Sequence, residues 1–438
     1  MPSHPMDRAR RRRKRYAALA SGLAAVALAH GARAQTTAVE IETGASAIGL
    51  LTRDTHTPGG RTLAEGYLTQ PVLHGSLHAR WLHALGSLNL EGLTLRRGEL
   101  DLGEWGEGYV DRRHPHAYVH ELMVGTERDG DRSALSLYAG RGFVSFGSDD
   151  PMVRPFVSYP VDHHLAQILE RLAVIGAARV GPLVAEASTF NGDEPLDPST
   201  PPRFSRFGDS WAVRGTILGD RLFDALRGAQ LSASYAAVNS PEYREGLGLD
   251  QRKLHIALGL TNETGVFTRY ALLEAARTTD VDRGRALYHF DAWLAEGTLC
   301  RRETGVGLRW ERSDRPEEER LLDLFRSARP GTDLSILGVT RWTTLTTALA
   351  LPDIHAGMVH AGPFVEVARL TADRTSAALF DPARFYGATA MWRIEAGVRV
   401  AAGHEHARMG RYGAAITPSS ITGHDHEGRA PSSNRCFS

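Results

Sequence analysis

MWRIEAGVRVA, at Met391–Ala401, alternates apolar and polar residues along its whole length. Trp392 and Ile394 fall on one face of an extended chain, while Arg393 and Glu395 fall on the other, because successive side chains of a β-strand point to opposite sides. The stretch therefore predicts a strand with one apolar face and one strongly polar face.

The same alternation recurs along most of the chain. QRKLHIALGL at Gln251–Leu260 and ETGVGLRWE at Glu303–Glu311 each place large apolar side chains opposite charged or small ones. About sixteen segments have this character. The predicted strands cover residues 37–52, 65–80, 84–97, 115–128, 132–143, 171–179, 182–191, 208–218, 228–239, 251–262, 265–277, 284–298, 301–313, 333–350, 359–372 and 389–403.

The connections between these strands alternate in length. Odd-to-even connections are mostly long, as at Thr55–Ala64 and Val144–Glu170, whereas even-to-odd connections are mostly short, as at Asp129–Asp131 and Glu263–Thr264. Long loops on one side and tight turns on the other are typical of outer-membrane barrels. We therefore predict an all-β fold, a closed antiparallel transmembrane β-barrel of about sixteen strands. A secreted all-β binding protein is the alternative, although it has no reason to sort its loops by side.

The first 34 residues have the organisation of a secretory signal peptide. A cluster of arginines at Arg8–Arg15 precedes a short apolar core at Ala17–Ala29 and a small-residue cleavage site at Ala32–Ala34. This segment holds 8 of the 51 basic and 1 of the 51 acidic residues, so the rest of the chain has 43 basic and 50 acidic residues, a net charge of −7. Such an acidic, exported protein is not expected to bind nucleic acid.

In its signal peptide, strand number, alternation and loop asymmetry, the chain from Gln35 to about Tyr412 resembles the bacterial outer-membrane porins. The resemblance implies a barrel over 35–412 in outer-membrane lipid, inserted by the barrel-assembly machinery, often as a homotrimer, and passing small polar solutes by passive diffusion without a cofactor. The chain departs from that pattern after the last strand, because about 35 residues follow it. Residues 413–438 are predicted to be a flexible tail, rich in Ser, Pro, Gly and His.

GSDDPMVRPFVSYPVDHH, at Gly147–His164, belongs to the third long connection. In many porins that loop folds into the lumen and brings acidic residues against an arginine-rich wall. Carried over to this chain, the resemblance implies a constriction lined by Asp149, Asp150 and Arg154 of the loop and by Arg80, Arg214, Arg309, Arg393 and Arg399 of the strands. Apolar residues at helical spacing in HHLAQILERL, His163–Leu172, predict a short helix at the end of the loop.

The histidines support a rival hypothesis, a barrel that handles copper or zinc. The candidate ligands are His114, His116, His163 and His164. No cluster supplies a complete tetrahedral set by itself. The inward and outward faces of the predicted strand 115–128 are also hard to assign, since strict alternation turns either His120 or Glu121 towards lipid unless the strand is bulged.

Enzymatic motifs are missing from the sequence. It contains no Gly-x-Ser-x-Gly elbow, no His-Glu-x-x-His pair and no phosphate-binding Gly-Lys-Ser/Thr loop. We therefore predict no catalytic residues. The two cysteines, Cys300 and Cys436, lie far apart in the sequence and are expected to remain unpaired rather than to form a disulfide framework.

Overall fold

The structure is a computed structural model. It describes residues 39–57, 60–79, 81–94, 116–130, 132–160, 165–195, 198–243, 245–264, 266–318, 336–375, 381–403, 409–416 and 436. Several predictions lie outside these residues, namely the signal peptide over 1–34 and the site residues Arg80, His114, His163 and His164.

The described residues form one closed antiparallel sheet. Its segments are β1 (Glu40–Thr57), β2 (Arg61–Ala79), β3 (Leu82–Asn89), β4 (Val119–Asp129), β5 (Ser133–Gly142), β6 (Arg171–Val180), β7 (Leu183–Phe190), β8 (Ser210–Leu218), β9 (Ala229–Val238), β10 (Asp250–Thr264), β11 (Phe267–Asp282), β12 (Arg285–Arg301), β13 (Thr304–Glu318), β14 (Ile336–Ala350), β15 (Ile354–Ala356), β16 (Val359–Arg374) and β17 (Ala390–Gly403). Neighbours in the chain pair with one another, and β1 pairs with β17. The short β15 continues the line of β14 along β16, so the barrel has sixteen strands, as predicted.

The two faces of the strands have opposite character. Large apolar residues such as Leu258, Leu308 and Trp310 are about half exposed on the outside of the barrel. Their neighbours in sequence, such as Arg309 and Glu311, are buried on the inside. A soluble protein does not leave a continuous apolar surface of this extent in water, whereas a transmembrane barrel presents it to lipid. The predicted inward and outward faces of β10, β13 and β17 are confirmed.

The barrel has two distinct ends. At the turn end, where β1 begins and β17 ends, tight connections such as Gly181–Pro182 join consecutive strands. At the loop end lies the 143–170 connection between β5 and β6. One predicted loop at that end is corrected, because β1 and β2 extend to Thr57 and Arg61 and leave only three residues between them.

A β-bulge resolves the frame of β4. Ser87 of β3 pairs with Glu121, but the adjacent Leu88 pairs with Val119, so His120 is the extra residue. The bulge lets both His120 and Glu121 point inward, where they are buried at 0% and 2% exposure. Neither side chain faces lipid, which removes the conflict that strict alternation creates.

The helix predicted over His163–Leu172 is not present in the described part of that stretch. Among residues 165–170 only Leu165 has 3₁₀ conformation, residues 166–170 are not helical, and β6 begins at Arg171. The apolar residues are nevertheless buried, because Leu165 packs against Ala276 and Phe290 while Ile168 and Leu169 join a separate core with Met123. Their spacing reflects contacts with two parts of the wall rather than one helical face. No described helix is long and apolar enough to cross a membrane.

Candidate channel lumen

The first part of the β5–β6 connection runs along the polar face of the strands. The amide of Ser145 donates to Ser188 Oγ of β7 at 3.1 Å, and the amide of Gly147 donates to Ser234 Oγ of β9 at 3.0 Å. Gly147 has a φ of +78°, and a Cβ there would collide with the carbonyl of Ala166. Glycine is therefore required where the two limbs of the loop touch.

The next part of the loop contacts strands on the far side of the barrel. Glu366 of β16 accepts hydrogen bonds from the amides of Val157 (2.6 Å) and Ser158 (3.1 Å). Glu395 of β17 accepts a hydrogen bond from Ser158 Oγ at 2.7 Å. A single loop thus reaches inward side chains from β7 to β17, and its backbone amides gain acceptors that an irregular segment otherwise lacks.

Arg154 connects the loop to an acidic part of the wall. Its Nη2 lies 3.4 Å from Glu274 Oε2, its Nη1 lies 3.8 Å from Glu296 Oε1, and the hydroxyl of Ser148 also contacts Glu274. Burial by itself lowers the pKa of Arg154, but the two carboxylates outweigh it and raise that pKa. Arg154 is therefore charged, and in this region a basic loop residue faces acidic strands, the reverse of the predicted order.

The predicted wall arginines that the structure describes lie inside the barrel, where Arg214, Arg309 and Arg393 have acidic partners. Arg214 forms two 2.6 Å hydrogen bonds with Glu186, and Arg309 Nε lies 2.7 Å from Glu296. Arg393 Nε lies 2.8 Å from Asp54. These three arginines are paired, buried and away from the internal cavity, so they brace the wall and the loop.

Arg399 is placed differently, since it is only partly buried. Its Nη2 donates to the carbonyl of Pro155 at 2.5 Å, and the residue borders an internal cavity. Among the predicted arginines that the structure describes, Arg399 and Arg154 border the internal cavity.

The two loop aspartates have different environments. Asp150 has 0% exposure and caps a single 3₁₀ turn, accepting a hydrogen bond from Met152 N at 2.7 Å. Its enclosure removes it from the predicted set of lining charges. Asp149 is partly exposed and borders the cavity, and its Oδ1 lies 3.1 Å from Arg411 Nε.

Arg411 belongs to a segment that sequence reasoning missed. Residues 409–416, which we call the C-terminal insert, return into the barrel after β17 and are buried there. The boundary of the predicted flexible tail at residue 413 is corrected accordingly, because Ala414 and Ala415 pack against Ala134, Ala177 and other wall residues.

The two cysteines are paired, which corrects the expectation from sequence. Cys300, near the turn end of β12, forms a disulfide with Cys436, and the two residues pack with Ala350. The pairing crosses 136 residues of sequence. Sequence separation gives no sign of it, because only closure of the barrel brings the chain end near β12.

Of the predicted metal ligands, the structure describes His116 alone. Its Nδ1 lies 3.5 Å from Glu170 Oε1, an atom that also lies 2.8 Å from His120 Nδ1 and accepts a hydrogen bond from Ala117 N at 2.7 Å. Burial lowers the pKa of His116, but Glu170 outweighs it and raises this pKa to about 9. Despite burial, the two histidines lower the pKa of Glu170. With these partners, the Glu170 carboxylate ties the last residue of the β5–β6 connection to β4 and to the residues just before it.

A second set of possible metal ligands lies at the turn end. His78 and His83 are cross-strand partners on β2 and β3, with their Nδ1 atoms 2.7 Å apart, and Glu127 Oε1 lies 3.4 Å from His83 Nδ1. One imidazole N–H donating to the other explains this contact without an ion. Hydrogen bonding therefore accounts for both described histidine sets.

A cavity of about 300 Å³ remains between the loop, the C-terminal insert and the wall. Among the residues that the structure describes, five charged ones border it, namely Asp149, Arg154, Glu263, Arg399 and Arg411. Uncharged polar and apolar residues, among them Gln230, Tyr270 and Met409, complete the lining.

Closure without an edge, an apolar outer belt and a polar, charged interior together define this chain as a transmembrane β-barrel with the architecture of bacterial outer-membrane barrels.

Solved outer-membrane structures align with most of this chain at low sequence identity. The anion-selective porin from Comamonas acidovorans aligns with a TM-score of 0.47 and 8% identity, over 84% of this chain and 100% of that chain. OccK2 (OpdF) of Pseudomonas aeruginosa, solved in complex with glucuronate, aligns with a TM-score of 0.37 and 12% identity, over 84% and 99% of the two chains. No family model matches the sequence, and no curated protein matches it.

Proposed function

We propose that this protein is a passive channel through which small polar solutes cross the outer membrane. The observation that carries the proposal is the path of the β5–β6 connection, whose residues bond to inward side chains on both sides of the barrel. A segment held on both sides narrows a water-filled interior without blocking the passage through it.

The constriction of the proposed channel has a charged border. Asp149 and Arg399 are the predicted residues that combine partial exposure with a position on the cavity. Opposite charges at a narrow point orient polar solutes and disfavour apolar ones. The buried pairs Arg214–Glu186 and Arg309–Glu296 hold the wall around it in a fixed shape.

Solute flux into liposomes tests this function. The purified, folded protein is reconstituted into liposomes loaded with an impermeant polymer, and swelling is followed in solutes of increasing size. We expect rapid swelling with small sugars or amino acids and a steep decline with size, because the cavity is small. Swelling no faster than in protein-free liposomes for every small solute would reject the proposal.

A further inference from the structure

The C-terminal insert meets the β5–β6 loop inside the barrel. Tyr412 donates a hydrogen bond from its hydroxyl to Glu121 of β4 at 2.8 Å and accepts one from the amide of Phe143 at 3.0 Å. Met409 packs in the same core as Phe143. The insert is thus tied both to the wall and to the start of the loop.

Arg214 holds the two segments together. While paired with Glu186, its guanidinium donates to the carbonyl of Gly147 in the loop at 3.1 Å and to the carbonyl of Gly410 in the insert at 2.9 Å. Both carbonyls lie away from water and need a donor, which one fixed guanidinium supplies. The insert and the loop therefore share an anchor on β8.

Arg411, a residue of the insert itself, adds a second contact between the insert, the β5–β6 loop and the wall. Its Nε lies 3.1 Å from Asp149 Oδ1, and its Nη1 lies 3.3 Å from Thr216 Oγ1 and 3.7 Å from Glu186 Oε2. Arg411 and Asp149 both border the cavity. Beyond the insert, the Cys300–Cys436 disulfide fixes the chain end to β12, and both cysteines border the same cavity.

We propose that the C-terminal insert is a second, built-in element of the constriction, which supplies Arg411 as a selectivity-determining residue and is retained in the lumen by the Cys300–Cys436 disulfide. The β5–β6 loop enters from the loop end and the insert enters from the turn end, so the passage narrows where Asp149 meets Arg411. This inference rests on the proposed channel function.

Single-channel recording separates the charge of Arg411 from the bulk of the insert. In Arg411→Gln the insert keeps its shape, and we expect the ratio of anion to cation permeability to fall by about twofold. Truncation after Gly403 removes the insert, and we expect conductance to rise at least about twofold. Arg227→Gln, which alters an exposed arginine in a turn-end connection, is the matched control and should behave as the full chain does.

Hydrogen exchange tests the insert even if no current is observed. In the folded full chain we expect amides of residues 409–416 to exchange far more slowly than an unstructured peptide, and Cys300→Ser/Cys436→Ser to speed their exchange. Exchange at the unstructured rate in the full chain would overturn the proposal. A conducting full chain whose truncation and Arg411→Gln variants match it in conductance and selectivity would overturn it too, while leaving the channel function intact.

Discussion

Asp149 and Arg411 lie 3.1 Å apart although 262 residues separate them in the chain. One belongs to the loop between β5 and β6, and the other belongs to the segment that follows the last strand. Two non-strand segments therefore meet inside the barrel. Their contact places opposite charges at the border of the cavity.

Removing the charge of Asp149 and removing the charge of Arg399, both partly exposed, should change ion selectivity in opposite directions. Asp149→Asn removes a carboxylate and should raise the ratio of anion to cation permeability by about twofold, whereas Arg399→Gln should lower it by a similar factor. Reversal potentials in a potassium chloride gradient measure both effects. Asp224→Asn, at an exposed turn-end position, is the control. Equal reversal potentials for all three variants would exclude Asp149 and Arg399 from the constriction.

Loss of Glu366 should loosen the loop. Glu366→Ala leaves the buried amides of Val157 and Ser158 without an acceptor, a penalty of about 1–3 kcal/mol for each. We expect faster hydrogen exchange at these two amides and noisier open-channel current. Glu303→Ala, at a partly exposed position in the turn between β12 and β13, should leave both unchanged. Unaltered exchange at Val157 and Ser158 in the Glu366 variant would show that the tether does not exist.

The apolar belt makes a prediction about stability in lipid. Leu258→Arg places a charge on the outward face of β10 and should destabilise the folded barrel by about 2–4 kcal/mol if it lies near the middle of the bilayer. Leu247→Arg, in the exposed β9–β10 connection, makes the same change outside the belt and should have little effect. Urea unfolding in lipid vesicles measures both. Equal stabilities would argue against lipid contact at Leu258.

The tie between His116 and Glu170 should make stability depend on pH. The pKa of His116 is raised from 6.5 to about 9 in the folded state, so its contribution is complete below pH 6.5 and is lost as the pH rises through about 9. The pKa of Glu170 is lowered, so its contribution is complete above about 4.5 and is lost on acidification. We therefore expect the strongest tie between pH 4.5 and 6.5.

The alkaline limb offers the sharper test of this tie. Between pH 6.5 and 10 the free energy of unfolding should fall by about 3 kcal/mol through His116. In His116→Gln this part of the decline should disappear, because glutamine does not titrate. Identical pH profiles for the two proteins from pH 6.5 to 10 would mean that His116 does not carry a charge in the folded state.

Much of the barrel follows directly from the sequence. Alternation identifies the strands and their inward faces, so the positions of Arg309 and Arg393 inside and of Trp310 and Trp392 outside are predictable. The inward face of β4 cannot be predicted in this way, since a bulge at His120 shifts the alternation by one residue, and the bulge depends on the pairing with β3. Helical spacing over 165–172 is misleading because two separate clusters bury those residues.

The site is harder to predict, because its contacts join residues that only barrel closure brings together. Nothing local to Glu274 or Glu366 marks either as a partner of the β5–β6 loop, and inward carboxylates look like residues that merely face water. The Cys300–Cys436 pair and the return of Arg411 into the lumen likewise depend on closure. Composition after Thr417, rich in Ser, Pro and Gly, obscures the buried segment that precedes it.

Single-channel recording of the purified, folded full chain in planar bilayers tests the central claim most directly. A water-filled barrel narrowed by the β5–β6 loop predicts discrete, stepwise increases in current, with a small unitary conductance that scales with salt concentration. Stable insertion of the folded protein without any current steps would contradict the account.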